Sequence, residues 1–315
     1  MNLKMSPLCN IVHSPIHPLL KEDNTIYVKR EDLIPFSFGG NKARKAVYFF
    51  KEIDRLRNDC VVTYGSSSSN HCRVVSNMAA MRNLQCIIIG PKEASKPTFN
   101  SKMMKMFGAE VITVPVERVH DTIEKKLAEL KDEGMNPYFI EGGGHGYWGT
   151  QAFVDCYNEI SEFEMQENIH FDYIFFASGT GTTQAGLVCG QLIHKDDREI
   201  IGISIARKNP RGRQVVIDSI KSYFNEMGIE MPDSAISEAT IFLDNYTGEG
   251  YGRYVYNEDI VIHEMLMRHG IPLDPTYTAK AYIGMRTYLK EKKIVGKTIL
   301  FIHTGGTPIF FDSIK

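Results

Sequence analysis

Short apolar runs rich in β-branched and aromatic side chains recur along the chain, each stopped by Gly, Ser or Pro and followed by helical spacing. The run 60–64 ends at Gly65, 86–89 at Gly90-Pro91 and 111–114 at Pro115. The run 138–140 ends in Glu141-Gly142-Gly143-Gly144, and 171–177 at Ser178-Gly179. Runs at 200–206, 241–243 and 299–302 have the same character. Between them, Val74, Val75, Met78 and Ala79 fall on one helical face, and a helix is expected over 43–53. This alternation predicts an α/β fold built on parallel sheets. We expect two three-layer domains with a ligand cleft between them. Residues 1–42 with 151–315 would form the larger, and 43–150 the smaller.

Parallel sheets bind ligands beyond the carboxyl ends of their strands. Those ends carry the polar loops: Ser66 to Asn70, the turn Glu141 to His145, Ser178 to Thr183, and His303 to Thr307. Composition narrows the setting. The chain has 315 residues, about two domains at ~150 each. With 43% apolar and 23% charged residues it is globular, not disordered. A net charge of −2 gives no footprint for nucleic acid or an anionic membrane. No apolar run approaches the ~18 residues of a membrane span. The first twenty residues lack the apolar core of a secretory signal. Six scattered cysteines without a CxxC argue against a zinc site and for a reducing, cytoplasmic setting. His71, His145 and His303 show no metal-ligand spacing, so no metal is expected.

Three loops carry candidate chemistry. Ser178-Gly179-Thr180-Gly181-Thr182-Thr183 sits between an apolar strand and a helix start. Small residues there turn backbone N–H groups toward one point, and the helix dipole and threonine hydroxyls add to an anion site suited to a phosphate. It is not a P-loop, since no Gly-Lys-Ser/Thr follows, and a dinucleotide fingerprint would need a third glycine where Gln184 stands. An ordinary tight βα turn is the competing reading. Gly39-Gly40 precede Lys42 at a helix start, where burial and the helix dipole would lower the lysine pKa and make it nucleophilic. A solvated surface lysine is the alternative. Ser66 to His71 reads as an anion loop capped by Asn70, or as simple capping. The charged stretch 124–133 reads as a solvated helix face, Met103, Met104 and Met106 as core, and Trp148 as packing.

Together these segments resemble the pyridoxal-phosphate (PLP) enzymes of the tryptophan-synthase-β type, fold type II. Within them they resemble the branch of D-cysteine desulfhydrases and 1-aminocyclopropane-1-carboxylate (ACC) deaminases. The carrying motifs run in order from Val28 to Pro308. They are Lys29-Arg30-Glu31-Asp32-Leu33, Gly39-Gly40-Asn41-Lys42-x-Arg44-Lys45, Ser69-Asn70-His71-x-Arg73 and Gly181-Thr182-Thr183-Gln184-Ala185-Gly186. Gly250-Tyr251-Gly252, Leu273-Asp274-Pro275-x-Tyr277-Thr278-x-Lys280-Ala281 and His303-Thr304-Gly305-Gly306-x-Pro308 complete them.

The resemblance implies roles. Lys42 would form the Schiff base with PLP and move the Cα proton. Asn70 would hydrogen-bond the phenolic oxygen. Gly179, Thr180, Gly181, Thr182 and Thr183 would hold the phosphate, and Thr278 would sit at the pyridine nitrogen. Ser69, Tyr251 and Tyr277 would act on the substrate side. Ser68, His71, Thr304 and Gly305 would join Ser69 in binding a small amino acid, and His303 would pack beneath the cofactor loop. A homodimer is also implied. ACC deaminases of this branch carry Glu at position 278 and Leu at 304; the threonines here match the desulfhydrases. A neutral hydroxyl at the pyridine nitrogen makes a weaker electron sink than a carboxylate, which suits α,β-elimination better than ring opening. The expected reaction is elimination on a small amino acid, D-cysteine first, to pyruvate, ammonia and sulfide. Ser68, Cys72, Thr276 and Ala279 depart from the branch pattern and open the substrate to ACC, D-serine, another β-substituted alanine or a β-replacement. A nucleotide-binding oxidoreductase or a non-catalytic PLP carrier are the rival classes.

Overall fold

The computed structural model describes residues 12–247 and 258–314. It opens on a hairpin, β1 (Ile16–Lys21) and β2 (Thr25–Arg30). Then come α1 (Asn41–Leu56), β3 (Cys60–Tyr64), α2 (Asn70–Ala80), β4 (Gln85–Pro91), α3 (Phe99–Met106), β5 (Glu110–Val114), α4 (Val119–Asp132) and β6 (Pro137–Ile140). The long α5 (Tyr147–Glu167) leads to β7 (Tyr173–Ser178), α6 (Thr182–His194), β8 (Glu199–Ser204), α7 (Arg211–Met227), α8 (Asp233–Ala239) and β9 (Ile241–Leu243). After the undescribed stretch come α9 (Glu258–His269), α10 (Thr278–Glu291), β10 (Thr298–His303) and α11 (Thr307–Ser313).

The strands form two sheets, one in the order β1-β2-β10-β7-β8-β9 and the other β5-β4-β3-β6. Among the described residues every strand pairing is parallel except β1 with β2. The β1–β2 hairpin was not among the predicted strands. Pro18 interrupts the β1 pattern, and the register slips between Pro18 and Leu20. Such an irregular strand is tolerated because β1 lies at a sheet edge.

Period-two alternation sorts the six-stranded sheet into two faces. Ile174, Phe176, Ile200, Leu300 and Ile302 pack with residues of α5, α6 and α7. Phe175, Ile201, Ile203, Ile299 and Phe301 pack with Ile262, Met265, Ala281 and Met285 of α9 and α10. The smaller sheet does the same. Val61, Ile88 and Ile140 meet α1 and α2, while Val62, Ile87 and Ile89 meet Ile123 and Leu130 of α4. Leu127 packs against the same core while the charged side chains of the run stay outside it, as expected of an amphipathic helix. The predicted face Val74, Val75, Met78 and Ala79 is buried. Met104 joins the core but Met106 is 82% exposed, because it sits on the solvent side of the last turn of α3. Trp148 packs against the small-sheet core and edge-on to Tyr147. Cys60, Cys72, Cys86, Cys156 and Cys189 are free and buried. Among the described residues no helix is long and apolar enough to cross a membrane.

Candidate active site

The carboxyl ends of β3, β6, β7, β8 and β10 converge on a cavity of about 490 Å³. That size suits a cofactor with a small substrate. Its floor includes Ala177, Ile205 and Ala206, and its walls come from both sheets.

Lys42 lies in the first turn of α1 and donates from Nζ to the Gly143 carbonyl at 2.9 Å, across the cleft. Burial lowers its pKa to about 8, and the Arg207 charge pushes the same way. The double glycine before it is required. Gly39 and Gly40 adopt φ of 58° and 94°, and a side chain on Gly40 would stand 2.9 Å from the Thr304 carbonyl. That carbonyl accepts the Asn41 N–H at 2.9 Å, so the loop after β10 and the start of α1 are tied. Asn41 also reaches the Thr183 hydroxyl on α6 at 3.1 Å.

The start of α1 is held from below by buried charge. Arg44 grips Glu31 through two hydrogen bonds and reaches Glu159 of α5 at 2.8 Å. Lys29 pairs with Glu159 at 2.6 Å. Burial opposes ionisation of Glu31, but Arg44 first and then Lys29 and Ser14 outweigh it and lower its pKa. The Lys29-Arg30-Glu31-Asp32 motif therefore anchors α1 and lies outside the cavity lining. His303 is fully buried 3.3 Å from Asp32 and accepts the Gly305 N–H on Nδ1, directly under the 304–306 loop.

The 178–183 loop bridges β7 and α6 with Gly181 at φ 100°. Gln184 locks it by contacts to the Ser178 hydroxyl at 3.0 Å and the Ile241 carbonyl at 2.6 Å. Arg207 and His145 both bond the Thr180 carbonyl, at 2.8 Å each. Across the cleft, Ser69 Oγ accepts the Cys72 N–H at 3.1 Å and is the N-cap of α2; Asn70 is the first helical residue rather than the cap. His71 Nε2 lies 2.9 Å from the Thr63 hydroxyl, whose own proton goes to the Ile140 carbonyl. Nε2 therefore carries a hydrogen. Burial, with the Lys42 and Lys45 charges, holds His71 well below the usual histidine pKa, so the ring is neutral.

Of the predicted residues, Lys42, Ser69, Asn70, His71, Gly179, Thr180, Gly181, Thr183, Tyr277, Thr304 and Gly305 all line the cavity. Three described ones do not. Ser68 turns its hydroxyl to Ser66, which lines the cavity in its place. Thr182 is buried behind the loop. Thr278 is buried and bonded to Asp274 at 2.9 Å, because Asp274 caps the start of α10 and draws that hydroxyl back. Tyr251 falls outside the described residues. Sequence reasoning missed Tyr64, Asn41 and Arg207. Tyr64 and Arg207 sit at or just past the ends of β3 and β8, where the strand-end rule would have found them.

A model of the family described as pyridoxal-phosphate dependent enzymes matches residues 10–305. The chain belongs to this family. It is 33% identical over 298 residues to a D-cysteine desulfhydrase of Yersinia enterocolitica, covering 91% of this chain and 88% of that protein. The crystal structure of an ACC deaminase homologue superposes with a TM-score of 0.82 at 32% identity, covering 93% and 89% of the two chains. A hydrogen sulfide-producing enzyme from Fusobacterium nucleatum, 17% identical, shares the fold with a TM-score of 0.66 over 97% and 99% of the chains. The fold is PLP fold type II, and the chain is a PLP-dependent lyase.

The residues present fit the cofactor. The buried Thr182 hydroxyl has no protein partner in the loop that would take a phosphate. Lys45 Nζ, buried against the Gly144 turn and over the Phe153 ring behind the cavity lining, has no hydrogen-bond partner either. Burial first, and then the Lys42 charge, holds its pKa well below that of an ordinary lysine. The Lys42 amine, its pKa lowered to about 8, lines the cavity beside Gly179, Thr180, Gly181 and Thr183, where it can meet an aldehyde.

Proposed function

We propose that Lys42 carries PLP in this cavity and that the enzyme performs α,β-elimination on a small β-substituted amino acid. D-Cysteine is the first substrate, giving pyruvate, ammonia and sulfide. The observation that carries the reading is the part-buried, pKa-lowered Lys42 amine in one cavity with Gly179, Thr180, Gly181 and Thr183. When bound, PLP draws electrons from the substrate Cα. Lys42 Nζ takes the Cα proton. Gly179, Thr180, Gly181 and Thr183 hold the phosphate at the N-terminus of α6, with Thr182 behind them. Ser69 Oγ already accepts a backbone N–H, so its own proton is free to meet the substrate carboxylate. Asn70 donates to the ring oxygen, while His71, Tyr277, Thr304 and Gly305 bound the substrate side.

Elimination is favoured over ACC ring opening because Glu141, an exposed residue, is the sole carboxylate among the described lining residues. The curated relative's name points to the same substrate. The test is keto-acid and sulfide release from PLP-loaded protein with D- and L-cysteine, D- and L-serine, β-chloro-D-alanine and ACC. Pyruvate with sulfide from D-cysteine and silence on ACC is the expected result; 2-oxobutyrate from ACC would overturn the elimination reading. We further propose a cytoplasmic homodimer, for which sedimentation should show twice the 35.7 kDa chain mass.

A further inference from the structure

We infer that Asn100 of α3, outside the cavity wall, is a positioning residue that orients the Asn70 amide so that its NH₂ group, not its carbonyl, faces the cofactor's ring oxygen. The inference rests on the placement of Asn70 beside that oxygen given above.

Asn100 is fully buried. Its Nδ2 donates to the Ser68 main-chain carbonyl at 2.8 Å and to Asn70 Oδ1 at 3.0 Å. A main-chain carbonyl only accepts, so the Asn100 atom beside Ser68 must be the nitrogen. Its second hydrogen then meets Asn70, and the atom it meets must be an acceptor. Asn70 therefore turns Oδ1 outward to α3 and leaves Nδ2 for the cavity that the residue lines. A terminal amide torsion is broad and nearly two-fold, so without Asn100 the Asn70 amide can rotate and present its oxygen instead. Oxygen facing an anionic oxygen repels; nitrogen donates a charge-assisted hydrogen bond.

The surroundings keep Asn100 in place. Thr98 and Ser101 form a capping box around it, and the Thr98 hydroxyl holds the Ser67 carbonyl at 2.6 Å. Asn100 Oδ1 is itself buried without a partner, a cost that a leucine at this position would not carry. An asparagine kept at that cost points to a need for the donor side of the amide.

The test uses the PLP-loaded enzyme and reads the pH at which its visible band converts. A donor on the ring oxygen weakens that oxygen's hold on the proton shared with the Lys42 nitrogen, so losing the donor lets the proton stay to higher pH. In Asn100→Asp the conversion should move up by about one pH unit, a tenfold change in proton affinity. Asn70→Ala should move it equally, and the double variant no further, since the two residues act in series. Asn100→Ala carries the same comparison should the aspartate variant fail to fold. An unchanged titration in the Asn100 variants, with Asn70→Ala shifted, overturns the inference and leaves the proposed function standing. Additive shifts in the double variant also overturn it. If Asn70→Ala itself moves nothing, the Asn70 contact falls and the inference with it, while Lys42→Ala, by abolishing the covalent band, still tests the lyase reading separately.

Discussion

Lys42 owes its lowered pKa to two influences of different kinds. Burial strips water from its ammonium, and Arg207 repels the charge that remains. Both favour the neutral amine, so the rate of covalent PLP loading should climb as pH rises through about 8 and level above it, read as growth of the visible band. Arg207→Gln removes a cation. The lysine then keeps its proton to higher pH, and the same profile should move up by about half a unit. Gly202 matters for a different reason. An added methyl would land on the Gln184 side chain, which Ser178 and Ile241 hold in place. Gly202→Ala should cost about 1–3 kcal/mol in thermal melting and, on the proposed function, weaken PLP binding, because Gln184 holds the 178–183 loop.

Helix α1 holds Lys42 against the cleft only while its own first turn is held. The Glu31–Arg44–Glu159–Lys29 cluster does that, joining the chain before α1 to α5. Removing one partner strands the other charges in a dry interior, so Glu31→Ala should lose about 3–5 kcal/mol, measured by denaturant unfolding. The lowered pKa of Glu31 gives the pH sign. The native pKa lies below the unfolded value of about 4.3, so this stabilisation is present above that pH. It is lost as pH falls through the lower native pKa, and the acid-induced fall in stability should be shallower in Glu31→Ala by this one group's share. Much of this element was legible. The helix and the double glycine followed from local pattern, while the family resemblance, not the pattern, set Lys42 apart from a solvated surface lysine. The Lys29-Arg30-Glu31-Asp32 segment read as part of the lysine motif, yet its side chains serve as an anchor. Its partner Glu159 lies 128 residues after Glu31, and no local signal connects them.

Across the molecule, the cavity exists because two parallel sheets present their carboxyl ends to one another. A contact that joins the two is Asp312 of α11, whose carboxylate accepts the Phe99 N–H of α3 at 2.9 Å, with Phe311 beside Phe99. Because α3 also buttresses the 66–70 loop, Asp312→Ala should raise the KM for the amino acid severalfold while costing only about 1 kcal/mol of stability, as for an exposed helix cap. Steady-state kinetics alongside a melting curve checks both.

The alternation of apolar runs with helical spacing determined the α/β class and the strand-end location of the candidate site, because both depend on near neighbours in sequence, whereas Lys42 was set apart only by the family resemblance of its motif. The β1 strand, broken by Pro18, escaped that pattern. Which polar side chains face the cavity was decided in three dimensions. Ser68 and Ser66 exchange places on the wall, Thr278 turns back to cap α10 with Asp274, and Arg207 enters from β8 to act on a lysine 165 positions away. A side chain's direction follows from the hydrogen-bond partners that tertiary packing brings within reach, and those partners are set by how the two sheets meet.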